Sequence, residues 1–277
     1  MANLEWLHRP ILDDPVALIA FTGWGDAGEA ASQAVLSLLD SHESEVVAVI
    51  DSDDLYDFQV RRPMTEFDDD GQRVTLWPDV EIHVVQSLER DLVVVVADEP
   101  HYRWKTFARQ MSEVFLALGV SRVVALGAFI GQVAHTLPVP LIGSSSRPET
   151  VAAWGLLPSN YEGPTGIVGV LTSELSDMGI ETIAVWAAVP HYLSNQDYPP
   201  GTRALMQKAA ELLGVSFDTA ALDSASLQYL STVDEAIANN HDLVEYVRRL
   251  EEEADDIDTE DTMRLVEEIE DFLREQS

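Results

Sequence analysis

The sequence predicts an α/β fold: a three-layer α/β/α sandwich around a mixed sheet, followed by a helical appendage. Three observations support this prediction. Strand-like and helix-like patterns alternate over residues 1–215. The strand-like runs are rich in valine and isoleucine and hardly alternate with polar residues, which is typical of strands buried on both faces. Glycine follows three helical patterns, at Gly119, Gly179 and Gly214, where a left-handed residue ends a helix.

We predict eight strands and four helices over this part of the chain. The strands are expected at residues 16–22, 45–51, 73–77, 80–86, 92–98, 122–130, 139–143 and 182–189. The helices are expected at residues 27–40, 104–118, 166–178 and 202–213. Residues 53–79 contain Arg-Arg-Pro, Asp-Asp-Asp-Gly and Trp-Pro, and they therefore predict a hairpin or an excursion from the sheet.

The composition changes near residue 216, which predicts one domain over 1–215 and an acidic two-helix extension over 216–277. The extension holds 19 Asp and Glu, 4 Arg and no Lys. Its apolar residues recur at helical spacing in two runs, Leu227–Leu250 and Leu265–Leu273, and Thr259 is the expected N-cap of the second. We expect these apolar stripes to pack on the parent domain or on a second subunit. A dedicated partner-binding arm is the alternative.

The charge balance excludes several functional classes. Lys and Arg number 16 against 49 Asp and Glu, a formal net charge of -33. Such a surface repels phosphate backbones and anionic membranes, so we expect neither nucleic acid nor a membrane as a partner. The chain has no cysteine, which excludes disulfides and thiolate chemistry. The segment Met1–Trp6 does not resemble a signal peptide, and we expect a cytoplasmic protein.

The turn after the first predicted strand has the spacing of a dinucleotide-binding fingerprint. Gly23, Gly25 and Gly28 spell G-x-G-x-x-G, and Asp51 follows the next strand. However, Asp26 and Glu29 lie three residues apart, the spacing of an N-cap acceptor and the residue that reaches back to it. We therefore expect the helix to cap itself, with a carboxylate where a pyrophosphate would bind.

Four segments together resemble the proteasome assembly chaperone 2 family, in its bacterial and especially actinobacterial branch. They are Gly23–Gly28 with its alanine-rich helix, Leu126–Ala128 with Ala134–Pro138, Tyr161–Ile167, and Trp186–Tyr192 with Pro199–Pro200 and the helix that follows. The resemblance implies a core similar to purine nucleoside phosphorylases and related hydrolases, and self-association. In archaeal and eukaryotic members it also implies chaperoning of proteasome α-subunit assembly.

The chain departs from this family in two respects. The resemblance implies that members that dock on the proteasome ring end in a hydrophobic–Tyr–any-residue tail, whereas this sequence ends Leu273–Ser277 without that motif. The acidic helical extension also has no counterpart in the archaeal pattern.

Nine residues are candidates for binding a ligand at the carboxyl ends of the strands, where open α/β sheets place their sites. They are Gly25, Asp26, Gly127, His135, Thr136, Ser144, Arg147, Glu162 and Thr165. Ser144, Ser145 and Arg147 could hold a phosphate at the helix start that follows Thr165, and ordinary turns with a close backbone approach are the alternative. His135 is the best acid, base or ligand-orienting group, and a structural histidine is the alternative. Glu162 faces either a ribose hydroxyl or solvent.

No catalytic constellation and no metal site is expected. G-x-S-x-G, paired zinc-ligand histidines and a P-loop lysine are all missing from the sequence. The sequence thus predicts a non-catalytic, self-associating protein-binding scaffold of the assembly-chaperone type, without a cofactor. Its expected partners are copies of itself, with proteasome α-subunits or another protein as further candidates. The alternatives are an enzyme or sensor acting on a nucleoside- or phosphate-bearing ligand and, on the opening turn alone, an NAD-dependent oxidoreductase.

Overall fold

The computed structural model describes residues 4–68, 70–86, 88–147, 149–159 and 161–255. The predicted N-cap Thr259 and the second helical run of the extension lie outside these residues. None of the helices in the described ranges is both long and apolar enough to span a bilayer.

Nine of the eleven strands in the described residues form one mixed sheet. The strands are β1 (Leu4–Trp6), β2 (Val16–Thr22), β3 (Glu45–Ile50), β4 (Met64–Phe67), β5 (Arg73–Leu76), β6 (Val80–Val85), β7 (Leu92–Asp98), β8 (Arg122–Gly131), β9 (Leu141–Ser145), β10 (Leu157–Pro158) and β11 (Glu181–Pro190). The order across the large sheet is β1-β3-β6-β7-β2-β8-β11-β9-β10. Its centre, β7-β2-β8-β11, is parallel, whereas β6 and β9 run antiparallel to β7 and β11.

Helices cover both faces of this sheet. They are α1 (Ala30–Ser41), α2 (Trp104–Leu118), α3 (Glu149–Ala153), α4 (Ile167–Asp177), α5 (Pro199–Leu213), α6 (Ala220–Ile237) and α7 (His241–Asp255). α2 and α4 pack together over one face, and α1 and α5 pack together over the other. The predicted three-layer α/β/α sandwich is therefore confirmed.

The two faces of the sheet bury separate apolar clusters, which explains the pattern of the strands. Along β2, Ala17, Ile19 and Phe21 join the cluster under α2 and α4. Val16, Leu18 and Ala20 join the cluster under α1 and α5. Since both faces are covered, successive residues are all apolar and no alternation with polar residues remains.

The structure confirms the predicted strands and helices of residues 1–215, and three short elements, β1, β10 and α3, were not predicted. The first run of the extension, which was predicted as one helix, is instead two helices, α6 and α7, separated by residues 238–240. Gly119, Gly179 and Gly214 have φ of 76°, 82° and 68°, as expected of residues that end helices. The first helix requires a correction. A 3-10 turn at Ala27–Glu29 precedes it, and the α-helix begins at Ala30 rather than at residue 27.

The extension packs against the sandwich, as expected. Val233 of α6 is buried in the cluster under α1 and α5. Val247 and Leu250 of α7 are buried against Ala134, in the segment that follows β8. Leu227, which belongs to the same apolar pattern, is an exception because it is exposed on α6.

Candidate functional site

A pocket of about 270 Å³ lies on the α4 side of the sheet, near the carboxyl ends of β2 and β8. Four aromatic side chains line it: Trp24, Phe129, Tyr161 and Trp186. Four hydroxyl side chains line it as well: Ser144, Ser159, Thr165 and Thr172. Of the nine predicted site residues, Gly25, Ser144 and Thr165 line this pocket. None of the described lining residues is charged.

Two of the signature glycines make room for one aromatic ring. A Cβ on Gly127 of β8 would lie 2.4 Å from the nearest ring atom of Trp186 on the neighbouring strand, and a Cβ on Gly25 would lie 3.2 Å from the same indole. The backbone N–H of Ala128 donates to the carbonyl of Gly25 at 2.8 Å, which brings the two glycines together. These motifs thus shape one wall of the pocket, and Gly127 does not line it.

The opening turn does not present a free helix start. The Asp26 carboxylate accepts hydrogen bonds from the backbone N–H of Ala31 at 2.8 Å, the backbone N–H of Ser32 at 3.3 Å and the Ser32 hydroxyl at 2.5 Å. Asp26 is 6% exposed, and this burial raises its pKa above the usual value of 3.8. The prediction that Asp26 caps this helix is therefore confirmed.

The reciprocal half of that prediction is wrong. Glu29 does not reach back to the backbone, because its carboxylate accepts from the Gln33 side chain at 3.2 Å, one turn further along α1. Glu29 itself has a left-handed φ of 48° between the 3-10 turn and the helix. The Asp26 side chain thus reaches past the 3-10 turn to accept from residues five and six positions later. It is not the N-cap residue of α1.

A second carboxylate, which the sequence did not reveal, occupies the start of α4. Glu99 Oε1, just past the end of β7, accepts the backbone N–H of Ile167 at 2.7 Å. Gly166, the N-cap residue, has no side chain to offer. A Cβ on Gly166 would lie 2.9 Å from Glu99 Oε1 and 3.5 Å from Trp24. Glu99 therefore lies beside two residues that line the pocket.

The predicted phosphate cluster does not assemble. Ser144 of β9 lines the pocket, but β9 runs antiparallel to β11, so the chain leaves β9 toward the start of β11 and away from the pocket. Arg147 follows β9, and its guanidinium lies 3.8 Å from the carboxylate of Glu181, the first residue of β11. The Ser145 hydroxyl accepts the backbone N–H of Arg147 at 3.1 Å. Glu162 is exposed on the loop before α4 and does not line the pocket.

His135 lies away from the pocket and contacts the extension. It is 4% exposed, with Nδ1 2.7 Å from the Tyr192 hydroxyl and Nε2 3.1 Å from Asp234 of α6. The Asp234 carboxylate can only accept, so Nε2 is assigned as the donor to it. In the neutral ring Nδ1 then accepts from the Tyr192 hydroxyl, whose oxygen accepts the backbone N–H of His135. Burial raises the pKa of Tyr192 to about 12, which keeps this donor protonated at neutral pH.

Thr136, the next residue, also contacts the extension. Its hydroxyl donates to the Glu251 carboxylate of α7 at 2.5 Å. The two neighbouring residues therefore bind one helix of the extension each. For His135, the structural alternative fits these contacts, because both ring nitrogens already have protein partners.

The predicted excursion between β3 and β6 is a separate two-stranded hairpin. β4 and β5 pair with each other and with no strand of the large sheet. Met64, Phe67, Leu76 and Trp77 are all exposed, Phe67 at 68%. We call these four residues the hairpin surface. Met64 lies opposite Leu76 in the register, so both belong to one face of the hairpin.

Known proteins with the same architecture resemble this chain. A sequence model of the PAC2 family matches residues 20–237. The solved structure of a PAC2 family protein from Streptomyces avermitilis is 40% identical, with a TM-score of 0.79, and the match covers 84% of this chain and 100% of that chain. A proteasome-assembly chaperone homologue from Mycobacterium tuberculosis is 38% identical, with a TM-score of 0.76 and coverage of 84% and 99%.

More distant structures share the fold alone. An archaeal proteasome activator from Pyrococcus furiosus is 14% identical, with a TM-score of 0.66, over 85% of this chain and 98% of that chain. A search of curated proteins found no match. The family match spans β2 through α6 and includes the opening turn, the glycines beside Trp186 and the start of α4. The chain belongs to the PAC2 family.

Proposed function

We propose that this chain is a non-catalytic, self-associating protein-binding module of the assembly-chaperone type, which contacts another protein chain through the hairpin surface. The observation that carries the proposal is the exposure of Met64, Phe67, Leu76 and Trp77 on a hairpin that packs into no larger sheet. A two-stranded hairpin is at best marginally stable in water when nothing covers it. A second protein would supply the missing contact.

The exposed apolar side chains lie on both faces of the hairpin, because Phe67 is three residues after Met64 on β4. Met64 and Leu76 are paired in the register, and Trp77 at the base packs on Phe58 with ring centroids 5.0 Å apart. Exposed apolar side chains that are concentrated on one element of a soluble protein can mark a protein interface. Methionine and aromatic residues are also enriched at such interfaces.

The rest of the site supports binding rather than catalysis. The described residues that line the pocket include no acid, base or charged nucleophile. His135, the best candidate for acid–base chemistry, is engaged with Tyr192 and Asp234. The first partner to test is the proteasome α-subunit, because one homologue is a proteasome-assembly chaperone homologue and the sequence motifs resemble that family.

The test is to remove the hairpin surface and measure association. The double variant Met64→Ser/Leu76→Ser is compared with wild type by size-exclusion chromatography with light scattering, alone and mixed with proteasome α-subunits. The control is Leu227→Ser, which removes a leucine that is exposed on α6, 70% against 60% for Met64 and 47% for Leu76. We expect wild type and the control to elute at a multiple of 30.6 kDa or with α-subunits, and the double variant to lose the association.

Two results would overturn the proposal. One is a wild type that stays at 30.6 kDa and binds no α-subunit. The other is a double variant that associates as strongly as the Leu227→Ser control.

A further inference from the structure

We infer that the pocket between α4 and the sheet binds a planar ring compound that is uncharged or positively charged, and that it rejects anions. The inference concerns a small molecule and is independent of the hairpin surface. The aromatic composition, the occupied helix start and the charge beside the pocket each support it.

The lining of the pocket matches a flat ring in shape and surface. Trp24, Phe129, Tyr161 and Trp186 surround a volume of about 270 Å³, at the small end of ligand pockets, where one or two rings fit. Aromatic side chains favour planar ligands through stacked and edge-to-face contacts. The Ser144 hydroxyl can donate or accept, and the Thr172 hydroxyl, which donates to the carbonyl of Val168 at 2.9 Å, can still accept.

A carboxylate already occupies the start of the helix beside the pocket. Helix starts attract phosphate through free N–H groups, but at α4 the N–H of Ile167 already donates to Glu99. At α1 the first-turn donors are bound by Asp26. Arg147, the cation nearest in sequence to the lining serine Ser144, is turned toward Glu181. An anion would therefore lie close to the Glu99 carboxylate beside the pocket and find no cation among the described lining residues.

The same arrangement favours a cation. Glu99 lies next to Gly166 and Trp24, both of which line the pocket, and its carboxylate would attract a positive charge held there. Aromatic faces add a cation–π attraction for a delocalised cation. The net charge of -33 raises the local concentration of cationic ligands further.

The experiment uses three probes that share one ring and differ in charge: benzamidine, benzamide and benzoate. Binding to the full chain is measured by ligand-observed NMR and calorimetry in about 0.15 M salt, which screens long-range attraction. We expect benzamidine to bind about tenfold or more tighter than benzoate, with benzamide between them. Inorganic phosphate, a fourth probe, is expected not to bind.

Three variants locate the site and the charge. Thr172→Phe places a ring in the pocket, and Ser173→Phe places the same ring on the exposed neighbouring position of α4 as the matched control. We expect the first to weaken benzamidine binding about tenfold and the second to change it by less than about twofold. Glu99→Gln keeps an acceptor for the N–H of Ile167 but removes the charge. It should reduce the ratio of the benzamidine affinity to the benzoate affinity to about threefold or less.

Circular dichroism checks that each variant is folded, and Trp24→Ala, which trims a half-exposed ring, replaces Thr172→Phe if that variant unfolds. The inference is overturned if benzoate or phosphate binds as tightly as benzamidine, or if none of the probes binds. It is also overturned if Ser173→Phe weakens benzamidine binding as much as Thr172→Phe does, or if Glu99→Gln leaves the ratio of the benzamidine and benzoate affinities unchanged.

Discussion

The indole of Trp186 occupies the space above Gly127, where a Cβ would lie only 2.4 Å from the ring. The two residues are directly paired across β8 and β11, so neither can move away without disturbing the centre of the sheet. The glycine of the Leu-Gly-Ala motif and the tryptophan of the fourth motif are therefore one structural unit. Gly127 is required by its neighbour rather than by a ligand.

The first prediction concerns this pair. Gly127→Ala should destabilise the protein by about 1–3 kcal/mol, because overpacking forces the ring or the strand to shift. The matched control is Gly131→Ala on the same strand, where the added Cβ would meet its nearest neighbour at an ordinary 3.5 Å. Urea unfolding followed by circular dichroism measures both. In a Trp186→Ala background the penalty at Gly127 should largely disappear, and a penalty that persists there would contradict the pairing.

The second prediction concerns the pH dependence of Asp26. Its pKa is raised in the folded state by burial, so the neutral acid is favoured there relative to the unfolded chain. The stability that protonated Asp26 contributes is fully present below pH 3.8, the ordinary pKa of aspartate. It is lost as the pH rises through the pKa of Asp26 in the folded state. Asp26→Asn keeps an acceptor for the helix start but does not titrate. Relative to this variant, the wild type should lose free energy of unfolding as the pH is raised from about 4 to 7. A constant difference would show that the carboxylate carries no such linkage.

The third prediction concerns the start of α4. Glu99→Ala leaves the N–H of Ile167 without its acceptor and should cost about 1 kcal/mol, as loss of a helix cap does. Glu99→Gln should cost less, because its amide oxygen can still accept. Thermal unfolding of both variants measures the difference. Equal stabilities of the alanine and glutamine variants would rule out a capping role.

The fourth prediction concerns the extension. His135→Ala removes the contacts to Tyr192 and to Asp234 of α6 from a buried position. We expect faster hydrogen exchange in α6 and α7, with little change in the central strands, because local opening follows the loss of local contacts. His241→Ala, at the exposed start of α7, is the matched control and should exchange like wild type. Unchanged exchange in α6 and α7 of His135→Ala would refute the anchoring role.

The fold was predictable because local patterns encode it, and the site was less so because it depends on strand direction and on distant contacts. Valine-rich runs and helix-ending glycines located the central strands and helices. The spacing of Asp26 and Glu29 indicated a self-capped helix, although the extra 3-10 turn moved the helix start to Ala30. Nothing local showed that β9 runs antiparallel and carries Arg147 away from the pocket.

Two further contacts lay beyond the reach of local patterns. Glu99 caps a helix 68 positions further along the chain, and the one sequence signal for it is negative: Gly166 lacks a capping side chain. The partners of His135 come from Tyr192 and from α6, 57 and 99 positions away. A polar residue in a loop does not reveal which distant element will cover it.

The most direct test of the proposed function is site-specific photo-crosslinking from the hairpin surface in cells of the native host. A benzophenone amino acid replaces Phe67, and a matched chain carries it at Leu227, an equally exposed position on α6. If the hairpin contacts another protein, the Phe67 probe yields a discrete crosslinked product, with a second copy of this chain or with a proteasome α-subunit, and the Leu227 probe does not. The proposal is contradicted if the Phe67 probe yields no discrete product, or the same products as the probe at Leu227.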